Sequence, residues 1–444
     1  METTNRYEFP TKDKFKARQV TELDFDIAPY RNKLYINLEA IRSKDYEKEM
    51  LFHLGIDEAQ DKLVELTGEF TKLVFSGHMG SGKTLELLAF KEKVHHQDRY
   101  FVVYIDIEKV FEVARFQAED FFIMLFTELA KTLHNNNIPF PSHKLKELEK
   151  DWLGEQEIEE INSSTWGLQA DIEKGIKANI FLLFSAKIKG LFASENKVST
   201  KIREKVKKNN LAYIQQFNEI LYEVRKILQA EWKKNNSGIG RDILFIIDGS
   251  EKLRREICKE IFIHNSFLWR DIQADIICAI PISMHYELEN KQAMDFYHAC
   301  LLPMIKITKD SKPILEKIIT NRIDKTTFFA DNEAIDLAIR YSGGSIRQLL
   351  KLVNAMLRYT RGNPITKEAA DITIKEQGRK MWEQLTEEQV GLLNKGLAEG
   401  GNFRTGNEKV SLLIFSLVLM KYNGNVKINP LLDDYFKGKT LLTT

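Results

Sequence analysis

The chain has 444 residues, 43% of them hydrophobic and 29% charged, with a formal net charge of +1. That length supports two or three domains with substantial cores, and so even a charge balance excludes a nucleic-acid binder that works through its overall field, leaving only local patches. The three cysteines, Cys258, Cys278 and Cys300, form no C-x-x-C pair, which argues against a disulfide framework or zinc site and for the reducing cytosol.

Residues 1–56 are read as an N-terminal segment. Met1 to Arg6 lack the apolar core of a signal peptide, and the longest apolar run, Ser411 to Met420, has about half the length of a membrane span. A soluble, cytoplasmic protein with no membrane partner is expected. Leu34-Tyr35-Ile36-Asn37-Leu38 predicts a short strand, followed by a charged helix through Tyr46 and Met50 to Leu54. Asp57 with Gln60 three residues later has the form of a capping box, predicting a helix through Leu63, Val64 and Leu66 to Gly68.

The next stretch organises the chain. Leu73-Val74-Phe75-Ser76 reads as a buried strand; Gly77-His78-Met79-Gly80-Ser81-Gly82-Lys83-Thr84 then follows G-x-x-x-x-G-K-[ST] and opens a helical pattern (Leu85, Leu87, Leu88, Phe90). Strand, glycine turn and helix are the setting that a phosphate-binding loop requires. Glycines let successive N–H groups face phosphate oxygens, and the helix start adds unpaired N–H groups and a positive dipole end. Residues 77–84 are therefore the expected ATP-binding loop. Lys83 would neutralise the β- and γ-phosphates and the Thr84 hydroxyl would coordinate Mg²⁺.

Tyr100 to Asp106 predicts a second buried strand, and Phe116 to His134 an amphipathic helix with Phe121, Phe122, Leu125, Phe126 and Leu129 on one face. Residues 135–210 break this alternation and are read as a helical insertion. Its acidic portion runs from Glu147 to Glu160, an apolar patch from Ile180 to Phe184, and its basic portion over 187–208, where Lys187, Lys189, Lys197, Lys201, Arg203, Lys205, Lys207 and Lys208 fall. That basic segment is a candidate for phosphate backbones; a solvated face complementing the acidic stretch accounts for it equally well. Leu211 to Trp232 is a long helix whose apolar stripe belongs to the core.

Asp242 to Asp248 is an apolar strand ending in a carboxylate, the Walker B pattern. Asp248 would hold the hydration shell of Mg²⁺ opposite Thr84. Glu251 is the best-placed acid to orient an attacking water, unless it is only a helix-start acid stabilised by the dipole. Lys83, Asp248 and Glu251 are thus the expected catalytic groups. A fourth strand, Ala274 to Ile280, ends at Pro281 with Ser283, the nearest polar side chain, as a candidate ATP contact, and Leu302 to Ile307 predicts a fifth. Strands alternating with helices imply a parallel α/β sheet covered on both faces.

From Ser311 the chain reads as helical, with segments Pro313–Ile323, Asn332–Arg340, Ser345–Tyr359 and Thr366–Leu385. Gly343-Gly344 separates the second from the third, so Arg347 lies in a first turn, where a cation opposes the dipole; it is either kept for an anion or a plain surface arginine. Helices near Glu387–Ala398 and Val410–Met420 precede a hairpin-type turn at Tyr422-Asn423-Gly424-Asn425. The expected organisation is an N-terminal segment (1–56), a five-stranded P-loop NTPase core (57–310), a helical lid (311–385) and a small winged-helix-like C-terminal domain (386–444).

This order of motifs, with Gly343-Gly344-Ser345-Ile346-Arg347 in the lid and Ile314-Leu315-Glu316-Lys317-Ile318-Ile319-Thr320-Asn321-Arg322-Ile323 at its entry, resembles the AAA+ superfamily. It is most similar to the branch of origin-recognition and transposition-type ATPases. The resemblance implies that Arg347 is a sensor 2 arginine reaching the γ-phosphate. Leu34–Leu38, Val103–Glu108, Ala279–Ile282, Leu302–Lys306 and Asn429–Leu432 also look like a family of bacterial P-loop ATPases. These approach the signal-transduction (STAND) ATPases and are often linked with antiviral defence. Two features depart from the AAA+ pattern. Gly249 stands where a glutamate usually follows the Walker B Asp, and no arginine lies between Arg270 and Arg322 to act as a finger, Lys291 being the nearest substitute. The function implied is an ATP-binding, slowly ATP-hydrolysing molecular switch that couples nucleotide state to lid movement and oligomer assembly, with self-association and a protein effector as partners. The alternatives are a nucleic-acid-loading ATPase and a nucleotide-bound scaffold with little hydrolysis.

Overall fold

The computed structural model describes residues 6–139, 190, 197–235, 240 and 242–436, less 24, 26, 39, 43–44, 65–68 and 288–293. Five strands make the central sheet: β1 (Lys72–Gly77), β2 (Tyr100–Asp106), β3 (Asp242–Asp248), β4 (Asp275–Pro281) and β5 (His298–Leu302). All pair in parallel, in the order β2-β3-β4-β1-β5. β4 is central, between β3 and β1; Gly77 faces Pro281 and Asp106 faces Asp248 in register. The carboxyl ends that carry the loop and the Walker B acid therefore open on the same edge of the sheet, the edge where ligands of open parallel sheets bind. This is the α/β P-loop core expected from the alternation.

Alternate residues serve opposite faces, as the strand pleat requires. Leu73, Phe75, Val102, Leu244 and Ile246 pack against α2 (Asp45–His53) and α3 (Lys83–Val94), which follow α1 (Lys14–Val20) in the chain. Val74, Phe101, Val103, Phe245 and Ile247 pack against α4 (Ala118–Asn135) and α6 (Asn210–Asn235). Between those two helices runs α5 (Lys197–Lys208), tied to α4 by a buried bidentate pair: Arg203 Nε and Nη2 donate to the two Asp120 carboxylate oxygens at 2.8 Å each. Burial pushes the Asp120 carboxyl up while Arg203 opposes that shift. Arg203 is thus spent inside the fold, which removes it from the expected basic surface; Lys201, Lys207 and Lys208 are exposed.

A short helix α7 (Ile282–Tyr286) leaves β4, and the lid follows as α8 (Ser311–Thr320), α9 (Asn332–Ser342), α10 (Ile346–Tyr359) and α11 (Lys367–Trp382). Their apolar faces share one cluster with Ala17 and Val20 of α1 and with Leu38. Beyond them, α12 (Glu387–Ala398) and α13 (Glu408–Phe415) precede an antiparallel hairpin of β6 (Leu419–Lys421) and β7 (Val426–Ile428). Ile282 of α7 joins the cluster of Leu393, Leu413 and Leu419. The side-chain amides of Gln348 and Asn429 exchange hydrogen bonds of 3.0 and 2.9 Å, and Tyr422 donates to the Gly343 carbonyl at 2.6 Å. Lid, hairpin and core are joined by specific contacts.

Four local expectations are corrected. Leu34–Leu38 is no strand: a helical turn (Arg31–Leu34) runs into extended chain, Leu34 is buried, and Leu38 packs into the cluster of the lid helices instead of a sheet. Asp57 starts no helix; Ile56–Asp57 pairs antiparallel with Lys62–Leu63, and Asp57 Oδ1 accepts the Ala59 and Gln60 N–H groups at 2.8 and 3.1 Å inside that turn. The fifth strand lies earlier, at His298–Leu302, and Val410–Met420 divides into α13 and β6 at Leu417, whose φ of 64° ends helical continuation. The acidic portion 147–160, the patch Ile180–Phe184, Lys187, Lys189 and Lys291 lie outside the described residues. Among the described residues no helix is long and apolar enough to cross a membrane.

Candidate functional site

The glycine loop leaves β1 at Gly77 and enters α3 through Gly82, which has a left-handed φ of 96° as the N-cap. Inside it, the Ser81 N–H donates to the His78 carbonyl at 3.1 Å. Lys83, only 4% exposed, turns its ammonium back along the loop, 3.1 Å from the Gly77 carbonyl, 3.2 Å from the His78 carbonyl and 3.3 Å from Glu251 Oε1. A buried cation needs such partners. These are also groups that a polyphosphate would replace with stronger ones.

The carboxylates arrive from β3. Asp248 accepts the Tyr104 hydroxyl at 3.0 Å. Burial pushes its carboxyl above the ordinary range and nearby Glu251 adds to this, while the Thr84 and Tyr104 hydroxyls oppose it by donating to the charged form. Thr84 thus lies beside Asp248. Gly249 follows with φ 87°, a conformation costly for a residue with a Cβ. The turn carries Glu251 round to Lys83, so the acid displaced from the usual AAA+ place still reaches the loop. Ser76 Oγ, Ser81 Oγ and Glu251 Oε2 are buried without a partner among the described residues. Native folds rarely leave such atoms unpaired, and a bound ligand or ion commonly supplies the missing partner. The oxygens that Thr84 and Asp248 bring to the loop are compatible with Mg²⁺ held together with a nucleotide, since Mg²⁺ typically takes one or two protein oxygens plus phosphates.

Two further elements close on the loop. The first turn of α10 lies over Gly80: the Arg347 N–H donates to the Gly80 carbonyl at 3.3 Å, and a Cβ on Gly80 would stand 2.0 Å from the Arg347 Cβ. Position 80 therefore admits no side chain while the lid is in place. Among the described residues no acceptor pairs with the Arg347 guanidinium. From the C-terminal hairpin, the Lys421 N–H donates to His78 Nε2 at 2.7 Å. Burial, and then the charge of Lys83, push that imidazole down to about 4, so it is the neutral acceptor this bond needs. Met79 is half-buried at the loop crest, and Ser283 is buried in α7, two residues past the register partner of Gly77.

Three residues here escaped the sequence. Tyr104 sits inside an apolar strand, where a hydroxyl is the only signal. Lys421 contributes its backbone, which no side-chain pattern reveals. Arg42, from the N-terminal segment, donates from Nη2 to the Ser81 carbonyl at 2.8 Å; it lies in a mixed, charged stretch (Glu39, Lys44, Asp45) that gives no sign of its burial.

No family model matches the sequence, and neither does any curated protein. Solved structures do. A point mutant of RuvB from Thermotoga maritima shares 12% identity over 90% of this chain and 96% of its own, with a TM-score of 0.35. The ORC2 protein of Aeropyrum pernix, in its ADPNP and ADP complexes, shares 10% over 95% and 98%, at 0.38. Cdc6p from Pyrobaculum aerophilum shares 12% over 92% and 90%, at 0.36. Origin-recognition proteins are thus among the neighbours, as the lid and loop motifs led one to expect. At these identities and scores none of the three carries an argument about what this chain does.

Proposed function

We propose that the protein is an ATP-binding, ATP-hydrolysing switch in which the glycine loop reports nucleotide state to the lid and the C-terminal hairpin. One observation carries the reading: Lys83, Thr84, Asp248 and Glu251, from two separate segments, meet at one loop that also touches α10 and β6. Lys83 exchanges the Gly77 and His78 carbonyls and Glu251 for the β- and γ-phosphates. Thr84 and Asp248 would hold Mg²⁺, which when bound neutralises phosphate charge. Glu251, freed from Lys83, becomes a base for water. Arg347, lying over Gly80, gains the γ-phosphate as its anion, a contact that ADP does not offer.

Lys83→Ala tests the reading. It removes the ammonium but no core packing, so the variant folds and loses most ATP affinity in a calorimetric titration; parent-like binding refutes the phosphate loop. Sizing the protein with and without ATP and Mg²⁺ tests assembly. The resemblance to defence-associated ATPases is what supports a role in antiviral defence, which plating efficiency of phage on an expressing host measures. The nucleic-acid-loading alternative is weakened by the internal use of Arg203, and a salt-dependent shift with duplex DNA would restore it.

A further inference from the structure

The Arg42 side chain is 1% exposed and reaches the loop from outside the core motif. Nη2 donates to the Ser81 carbonyl at 2.8 Å, Nη1 lies 3.2 Å from Glu86 Oε1, and Nε is buried without a partner among the described residues. Glu86 is shared, since its Oε2 accepts the Tyr46 hydroxyl at 2.9 Å. Burial draws the guanidinium below its ordinary value, against the pull of Glu86. A cation so placed, next to Gly82 at the start of α3, meets the positive end of the helix dipole as well as the cost of desolvation. A purely structural tether could avoid both costs by being neutral. An arriving anion turns both into gains.

The geometry says what the arginine does. In a trans peptide the C=O of one residue and the N–H of the next point to opposite sides. With the Ser81 carbonyl held by Arg42, the Gly82 N–H is turned away from it. Gly82 itself has the left-handed φ of 96° that this orientation accompanies. We propose that Arg42 is a positioning residue for the nucleotide polyphosphate: it fixes the Ser81–Gly82 peptide so that the Gly82 N–H is offered to phosphate, and it adds a second positive charge beside Lys83. This rests on the phosphate-loop reading above.

The test is titration of the full chain with ADP and with ATP, for the parent, Arg42→Ala, Arg42→Lys and Lys83→Ala. Arg42→Ala should bind both nucleotides roughly ten- to hundredfold more weakly, the scale of a hydrogen bond from a charged donor. Turnover at saturating ATP should change by no more than about threefold, because the arginine touches no reacting atom. Millimolar guanidinium ion should restore part of the affinity of Arg42→Ala and none of that of Lys83→Ala. Arg42→Lys, which keeps the charge without the planar fork, should fall between parent and alanine variant, and it is read alone where Arg42→Ala does not fold. If Arg42→Ala, or in its place Arg42→Lys, binds ADP as the parent does while Lys83→Ala does not, Arg42 is a tether and the proposal is overturned. Parent-like binding by Lys83→Ala overturns instead the phosphate-loop reading beneath it.

Discussion

His78→Phe separates the hairpin from the loop. In the parent, the neutral imidazole accepts the Lys421 N–H at 2.7 Å. The groups facing the ring are Lys83, whose charge disfavours protonation, and the Ile414 main chain, which opposes that effect. Burial is the larger cause, and the folded value is about 4 against about 6.5 unfolded. The unfolded chain therefore binds more protons between these values, and stability rises with pH through that window and is level above it. Integrating from pH 7.5 to 4.5, at 1.36 kcal/mol per unit, gives about 2.5 kcal/mol lost from this one ring. Phenylalanine abolishes the titration but strands the Lys421 N–H, at a pH-independent cost of about 1–3 kcal/mol. The deficit of the variant's urea midpoint at pH 7.5 should therefore shrink, or reverse, towards pH 4.5. At neutral pH, hydrogen exchange in peptides covering residues 417–430 should be faster in the variant. Parallel pH profiles would show that the folded protein does not hold the ring neutral, and unchanged exchange over 417–430 would show that His78 does not hold the hairpin.

Glu251→Gln keeps the shape of the acid and should preserve ATP affinity while slowing turnover by about a hundredfold or more, the usual scale for a lost general base; unchanged steady-state phosphate release would reduce Glu251 to a partner of Lys83. Arg347→Ala should narrow the preference for ATP over ADP by roughly ten- to hundredfold, the worth of a charge-assisted bond. Its ADP affinity should barely move, and competition titrations that show the parent's preference intact would leave the lid without a sensor.

The legible parts of the fold were those where one local pattern had one physical cause. β1 to β4 are covered on both faces, so they read as continuous apolar runs. The lid helices carry apolar stripes of the right period, and Thr366, Asp331 and Ser345 cap them in place. Where the expectation failed, the pattern had been produced by a different contact. Pro303 to Ile307 is apolar because Met304 meets Met420 and Tyr422 and Ile305 enters the lid cluster, not because it pairs in the sheet. The true edge strand begins at exposed His298. Asp57 forms the side-chain bonds of a cap, but the same bonds also close a turn. At the site, Lys83 and Thr84 could be picked out from spacing within one motif. Arg42 and Lys421 could not, because they lie 39 and 343 residues from their partners Ser81 and His78.

Consecutive loop residues have divided tasks. Gly77 and His78 offer carbonyls to Lys83, the His78 ring holds β6, and Gly80 holds α10 through a carbonyl and a missing side chain. Any ligand that draws Lys83 off those carbonyls also changes what faces the His78 ring, since the Lys83 charge is one of the two forces keeping it neutral. A ligand can shift the equilibrium between docked and undocked hairpin only by interacting differently with the two states. A phosphate bound at the loop would do so by moving that charge. Removing it from the ring weakens one cause of the low pKa, while burial, the larger cause, persists. The hairpin should therefore stay docked in the nucleotide-bound protein at neutral pH, and release has to come from the lid side, where Arg347 and Gly80 meet. On the proposed reading, nucleotide state would be read first by α10, with the hairpin following through the Gly343–Tyr422 and Gln348–Asn429 hydrogen bonds that tie the two together.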